Sequence, residues 1–184
     1  ISADIRLGKI SPYLLKPVPF IFHQVANNIG EKIIKTIYLL PFAVYLVVSF
    51  NFNLPLNSYL NIFLFIVVIC VSTLLMFIVD MCIGFGAFWL DDTAAIFELF
   101  GICMFFFSGK FIPLVMMPRV IQQISDFLPF RYVLSFPIEL FLGKLSSFDI
   151  LKGITIQILW LSIAIVVYKL SWSRGLKKYS ASGA

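Results

Sequence analysis

Charged residues are scarce in this 184-residue chain, at 12% of its residues, whereas 61% are hydrophobic. Soluble proteins contain about 25% charged and about 45–50% apolar residues. Fourteen Lys and Arg with nine Asp and Glu cannot cover a water-soluble globule of this size. The scarcity excludes an ordinary soluble domain, a disordered tail and a secreted disulfide scaffold. It predicts an all-α membrane protein built as a bundle of several spanning helices.

The residues of common catalytic and metal sites are also few. His23 is the single histidine, and the chain contains neither a G-x-S-x-G nor an H-E-x-x-H sequence. The three cysteines, Cys70, Cys82 and Cys103, lie in apolar runs without C-x-x-C spacing, so they read as buried small hydrophobes. We therefore predict no catalytic residue, no cofactor and no metal ion.

Phosphate-binding loops are missing as well. Gly84-Phe85-Gly86 lacks the third glycine of a nucleotide-binding turn. Gly109-Lys110 lacks the earlier glycine of a P-loop, and Phe111 stands where Ser or Thr is required. The net charge of +5 comes from basic residues that flank apolar stretches, which favours contact with membrane lipid head groups over nucleic acid.

Four apolar stretches are long enough, or nearly long enough, to cross a bilayer, which takes about 20 residues. We predict transmembrane helices at residues 33–52, 59–79, 94–112 and 154–172. Basic residues are concentrated in the first 35 residues and in the tail after Lys169. With four spans both ends lie on one side, and the positive-inside rule places both in the cytoplasm, with the chain in the cytoplasmic membrane.

The region between the last two spans, residues 113–150, is too charged and proline-rich to cross and too apolar for a solvated loop. Pro118 stands where an amphipathic stretch begins, and Pro129 closes it. A second apolar piece follows at residues 133–142. We predict two short helices that dip into the membrane or lie on its surface. Ser146 and Asp149 have the spacing of a capping box that opens the last span.

One acidic residue lies inside a predicted span. An ionised carboxylate in lipid is costly unless it faces a partner or water, so Glu98 is a candidate for the transport path. The alternative is that Glu98 lies in the interfacial zone and pairs with a basic residue of a neighbouring helix. Asp80, Asp91 and Asp92 read as helix ends or caps near the cytoplasmic face.

A series of motifs resembles one family of membrane proteins. The series is Asp4-Ile5-Arg6-x-Gly8-x-Ile10, Tyr13-Leu14-Leu15-Lys16-Pro17, Phe88-Trp89, Ser108-Gly109-Lys110-Phe111-Ile112-Pro113-Leu114, Pro118, Leu128-Pro129-Phe130, Pro137 and Gly143. In this order it resembles the permeases of type-2 ABC exporters, across almost the whole chain treated as one permease domain, residues 1–184.

The resemblance implies a dimer of six-span permeases, homo- or heterodimeric, with two ABC ATPase subunits. The chain would then hold the last four of six spans. By this resemblance residues 1–30 contain the cytoplasmic segment that couples to the ATPase, with Asp4, Arg6, Gly8 and Lys9 at the contact. It also implies re-entrant helices near the outer gate, with candidate residues Gly109, Lys110, Pro113, Pro118 and Pro129. ATP-driven repacking of the spans would then carry an amphiphilic or lipid-like, drug-like solute outwards.

Two other classes stay open from the residues alone. An intramembrane lipid-modifying enzyme would need clustered acids or histidines at one membrane face, and only Asp80, Asp91 and Asp92 cluster. A channel or structural membrane subunit would act without ATP. Recovery of an ATPase partner in mild detergent distinguishes the exporter from both.

Overall fold

The computed structural model describes residues 20–50, 59–90 and 92–182, together with Ser2 and Ile5. Of the described residues 87% are helical, and none of them lies in a β-strand. The all-α fold predicted from the composition is therefore confirmed. The chain divides into two compact units, Leu7–Leu54 on the one hand and Ile1–Arg6 with Pro55–Ala184 on the other.

The smaller unit contains one described helix, α1, which runs over Phe20–Ser49. This helix begins well before the predicted start of the first span at residue 33, and residues 51–52 of that prediction lie outside the described residues. Near its middle, exposed Lys35 donates to Glu31 over 3.3 Å, an i, i+4 pair that supports the helix modestly. Its second half is apolar, and the whole helix is long enough to cross a membrane.

Two long helices organise the larger unit. Helix α2 covers Tyr59–Phe85 and continues into a 3-10 turn at Gly86–Phe88, and α7 covers Ser147–Ser182. Like α1, both are long and apolar enough to span a bilayer. The predicted spans 59–79 and 154–172 lie inside them.

Helices α2 and α7 pack along their lengths in the same direction. In the first half of each helix, Val68 of α2 belongs to a buried cluster with Tyr132, Phe136 and Leu140, and Ile154 of α7 packs against it. Towards their other ends, the ring of Phe85 lies 5.1 Å from that of Trp172. Gly175 lets the ring of Phe88 approach its backbone directly. Because α2 and α7 run parallel, the chain between them returns from the end of α2 to the level at which α7 begins.

The third span was predicted as a helix over residues 94–112, but the observed helix is shorter: α3 covers Ala94–Phe107, which is 14 residues. At about 1.5 Å per residue it reaches about 21 Å, less than the hydrocarbon thickness of about 30 Å. The helix stops because Gly109 adopts φ +79°, a left-handed conformation that ends helices.

Three short helices, rather than the two predicted, connect α3 to α7. After a 3-10 turn at Leu114–Met116 come α4 at Arg119–Phe127, α5 at Pro129–Val133 and α6 at Ser135–Phe141. The extra break has a local cause. The ring of Pro137 would clash with the carbonyl of Val133, four residues earlier, in a continuous helix.

The capping box that opens α7 is present. Ser146 Oγ donates to Asp149 Oδ2 over 2.6 Å, and the Asp149 amide donates back to Ser146 Oγ over 3.2 Å. The Ser146 amide also lies 3.3 Å from the same carboxylate oxygen. This reciprocal pair satisfies amides that the first helical turn leaves unbonded, which confirms the predicted start.

Candidate functional site

The connecting segment, residues 108–146 between α3 and α7, contains several helix ends in close succession. A carbonyl at a helix end has lost its partner four residues on and needs another donor. Here side chains supply it. Ser135 Oγ donates to the Ser108 carbonyl over 2.6 Å, and Trp160 Nε1 donates to the Phe127 carbonyl over 3.0 Å. The segment's irregular backbone is thus satisfied by protein groups.

The most buried of these contacts is a polar node between α2, α5 and α7. Gln157 Nε2 has two hydrogens to donate and three acceptors within reach: Ser72 Oγ at 2.8 Å, the Tyr132 carbonyl at 3.1 Å and the Val68 carbonyl at 3.2 Å. Ser72 Oγ lies 2.9 Å from the Val68 carbonyl and 3.1 Å from that of Tyr132. Gln157 is only 1% exposed, and its Oε1 has no hydrogen-bond partner among the described residues.

An ion-pair cluster surrounds Arg131 on α5. Its guanidinium donates to the carboxylate of Asp126 and, over 3.1 Å, to Glu139 Oε2. Tyr132 donates from its hydroxyl to the Asp126 carbonyl over 2.7 Å. Arg131 and Tyr132 thus both bind Asp126 and hold α5 against the end of α4.

A cavity of about 300 Å³ opens beside this cluster at the start of α7. Lys152 contributes the one lining ammonium, and it makes no hydrogen bond or ion pair within the described part of the chain. Gly153 forms part of the wall because the ring of Phe136 packs directly against its Cα. The polar lining consists of Asp126, Arg131, Tyr132, Asp149 and Lys152. Charged groups thus meet where the last long helix begins.

The sequence did not predict these groupings, although it contained a signal for one of them. Gln157 is the single amide side chain in an otherwise apolar run, and polar residues inside spans often mark interhelical contacts. Arg131, Asp126 and Glu139 gave no such signal, because charged residues between spans are ordinary. Their pairing depends on the break between α5 and α6.

Among the predicted gate residues, Gly109 packs closely against another part of the segment, at Ser135. A Cβ at Gly109 would collide with Ser135 Oγ, the group that caps the Ser108 carbonyl. Pro113 precedes the 3-10 turn, Pro118 precedes α4, and Pro129 is the first residue of α5. Lys110 is exposed. The prolines mark helix starts and do not gather at one point of contact.

The other predicted site residues are placed as follows. Glu98 is exposed on α3 and takes part in no hydrogen bond or ion pair among residues 20–50, 59–90 and 92–182. Asp92 Oδ1 accepts from the Ala94 amide over 2.8 Å, so this residue assists the start of α3. The proposed coupling residues Asp4, Arg6, Gly8 and Lys9 lie outside the described residues, as does Asp91.

These features define an α-helical membrane protein with a compact, internally hydrogen-bonded segment before its last long helix. The chain belongs to the ABC-2 transporter family: a family model described as "ABC-2 family transporter protein" matches residues 1–183. This confirms the family indicated by the motif series. No curated protein and no solved structure matches the chain.

Proposed function

We propose that this chain is the transmembrane subunit of an ATP-driven exporter in a bacterial cytoplasmic membrane. The observation that carries the proposal is the match of residues 1–183 to the ABC-2 transporter family. The three long apolar helices support it. With no phosphate-binding loop in its sequence, the chain would take its energy from a separate ABC ATPase subunit, and it would work with a second permease copy, as a homo- or heterodimer.

The coupling contact is proposed for the leading segment, with Asp4, Arg6, Gly8 and Lys9 in the ATPase interface. Arg6 and Lys9 would supply the charges, and Gly8 a close approach of the two backbones. Support comes from the motif series, because in the family that it resembles the coupling helix lies between the second and third spans. Closure of the ATPase dimer on ATP would push this segment and repack the spans. Both chain ends are then cytoplasmic.

The connecting segment is proposed to be re-entrant and to lie near the outer gate. In lipid, an unsatisfied backbone group costs several kcal/mol, so irregular backbone occurs at membrane depth only where it is buried in protein. The side-chain donors to the carbonyls of Ser108, Phe127 and Tyr132 meet this requirement. They support a segment inside the membrane over one that rests on its surface.

The solute is proposed to be amphiphilic, lipid-like or drug-like. Its support is compositional: 21 of the 184 residues are Phe, and aromatic walls suit an apolar body. Glu98 is proposed to face the transport path, where its carboxylate would meet a polar or cationic group of the solute. The exposure of Glu98 and its lack of partners among the described residues are consistent with this position.

Co-purification tests the proposal. The full-length protein, extracted in mild detergent, is expected to recover an ABC ATPase. The double charge reversal Arg6→Glu with Lys9→Glu should abolish that recovery. Arg119→Glu, the same change at an exposed residue of α4, should leave it intact. Failure of the wild-type protein to bring down an ATPase under any detergent condition contradicts the exporter and favours a channel or a structural subunit.

A further inference from the structure

Given the proposed exporter, we propose that the connecting segment is carried by α7, and that Gln157 and Trp160 are the positioning residues that attach it. In this arrangement the contact between the segment and α2 is the one that opens during transport. The inference rests on two observations. The first is which helix donates hydrogen bonds to the helix-end carbonyls of the segment, and the second is which hydrogen bonds remain when the segment separates from either helix.

Helix α7 binds two helix-end carbonyls of the segment. Gln157 Nε2 donates to the Tyr132 carbonyl and Trp160 Nε1 to the Phe127 carbonyl. Neither carbonyl accepts a backbone hydrogen bond at the helix ends of the described chain. Separation from α7 would therefore leave the Phe127 carbonyl without a donor in an apolar setting, which is costly.

Helix α2 holds the segment through a hydroxyl that has an alternative acceptor. Ser72 Oγ carries a single hydrogen, and it lies 3.1 Å from the Tyr132 carbonyl but 2.9 Å from the Val68 carbonyl of its own helix. When the segment moves away, Ser72 donates to Val68 and stays satisfied. The Tyr132 carbonyl keeps its bond from Gln157. Opening of the contact with α2 thus costs the hydrogen bond from Gln157 Nε2 to Ser72 Oγ, but it leaves both carbonyls, of Val68 and of Tyr132, with a donor.

The remaining contact with α2 is apolar and is replaceable in a membrane. It includes the pair Phe65 and Phe141, whose ring centroids lie 4.8 Å apart, and the packing around Val68. Lipid tails are as apolar as these side chains, so their separation in the bilayer costs less than the loss of a buried hydrogen bond. The packing and the hydrogen bonding therefore both indicate that the segment separates from α2 and stays attached to α7.

The Oε1 of Gln157 has no donor among the described residues, so the amide acts on the segment through its Nε2 hydrogens. A buried acceptor without a donor destabilises the fold, and an apolar residue of similar volume would avoid that cost. Gln157→Met is such a residue: it keeps the length of the side chain and removes both donors. A positioning role predicts that this variant folds and loosens the segment.

Thiol labelling in detergent compares the two helices directly. The probe is a small maleimide, and the reporter is Ser125→Cys on α4, a position with no exposed surface, in a full-length protein whose three native cysteines are replaced by Ala. Gln157→Met and Trp160→Phe should each raise the labelling rate about tenfold, the change expected when a hydrogen bond that holds the segment is lost. Ser72→Ala should change it less than about twofold, because α7 still holds the segment.

A second reporter separates positioning from general loosening. It is the protein with Cys82 as its single cysteine, half-buried between α2 and α7, where its Sγ lies 3.7 Å from the Ala164 carbonyl. Its labelling should be the same in all three variants.

The proposal is overturned if Ser72→Ala loosens the segment as much as Gln157→Met, if the α7 variants leave Ser125→Cys unreactive, or if Cys82 labelling rises in parallel. These measurements need neither nucleotide nor ATPase, so failure to find an ATPase counts against the exporter alone.

Discussion

The Arg131 guanidinium donates to the Glu139 carboxylate over 3.1 Å, across the break between α5 and α6. The same guanidinium also binds Asp126 at the end of α4. One cation thus joins three short helices that have few residues of their own to bury. The cluster gives the connecting segment a fixed internal geometry before any contact with the long helices is counted.

Removal of this cation is expected to destabilise the segment. Arg131→Met leaves two partly buried carboxylates without their partner, at a cost of about 1–3 kcal/mol. Lys144→Met is the matched control, since Lys144 is exposed, and its effect should stay within about 0.5 kcal/mol. Unfolding by sodium dodecyl sulfate in mixed micelles measures both. Equal stability of the two variants would show that the cluster contributes nothing.

Gly109 is predicted to resist substitution more strongly than Gly143. Both have positive φ, at +79° and +67°, so Ala at either site incurs backbone strain of about 1–2 kcal/mol. At Gly109 the new Cβ also collides with Ser135 Oγ, whereas nothing lies near Gly143. Gly109→Ala should therefore lower the midpoint of thermal unfolding clearly further than Gly143→Ala. The reverse order would contradict the described turn.

The packing of Phe136 on Gly153 is open to a double-mutant cycle. Gly153→Ala places a methyl group against the Phe136 ring and should cost about 1–3 kcal/mol through overpacking. Phe136→Leu removes the edge of the ring, so the double variant should be more stable than the sum of the single effects by about 1 kcal/mol. Additive effects would mean that the two residues do not touch. Gly101→Ala, with no neighbour near its Cα, controls for helix propensity.

The capping box is expected to contribute about 1 kcal/mol to the start of α7. Ser146→Ala removes the hydroxyl that binds Asp149 and accepts from its amide. Thr155→Ala is the matched control, because its hydroxyl donates to the Leu151 carbonyl within the helix and is exposed. Hydrogen exchange of the first-turn amides should accelerate in Ser146→Ala and stay unchanged in Thr155→Ala. Unchanged exchange in both would contradict a role for the box.

Features that depend on neighbours in the sequence were predictable. The long apolar runs indicated α2 and α7, and the Ser146–Asp149 spacing indicated the helix start, because a capping box needs residues three apart. Pro118 indicated the start of α4 for the same reason. Pro129 was expected to close that helix, which it does, but the start of α5 at Pro129 was not predicted. The end of α3 was placed five residues too late, since apolar residues continue past Gly109 and hydropathy alone does not register a left-handed turn.

Features that depend on distant partners were not predictable. Gln157 meets Ser72 across 85 residues and Tyr132 across 25, and no local pattern specifies which polar residues of different helices will meet. The sequence indicated Glu98 as a candidate site residue, because it is an acid inside an apolar run. In the described fold the charged cluster lies instead around Arg131. The break before Pro137 that allows this cluster is local, but the direction in which α6 leaves the break, and with it the contact of Glu139 with Arg131, depends on tertiary packing.

The most direct measurement of the central claim is ATP hydrolysis by the purified full-length protein in lipid nanodiscs, alone and with its co-purified ATPase. We expect no hydrolysis above background from the protein alone and sustained hydrolysis from the complex. The rate of the complex should fall to that of the free ATPase on Arg6→Glu with Lys9→Glu. Hydrolysis of ATP by the protein alone would contradict the proposal that a separate ATPase subunit provides the energy for transport.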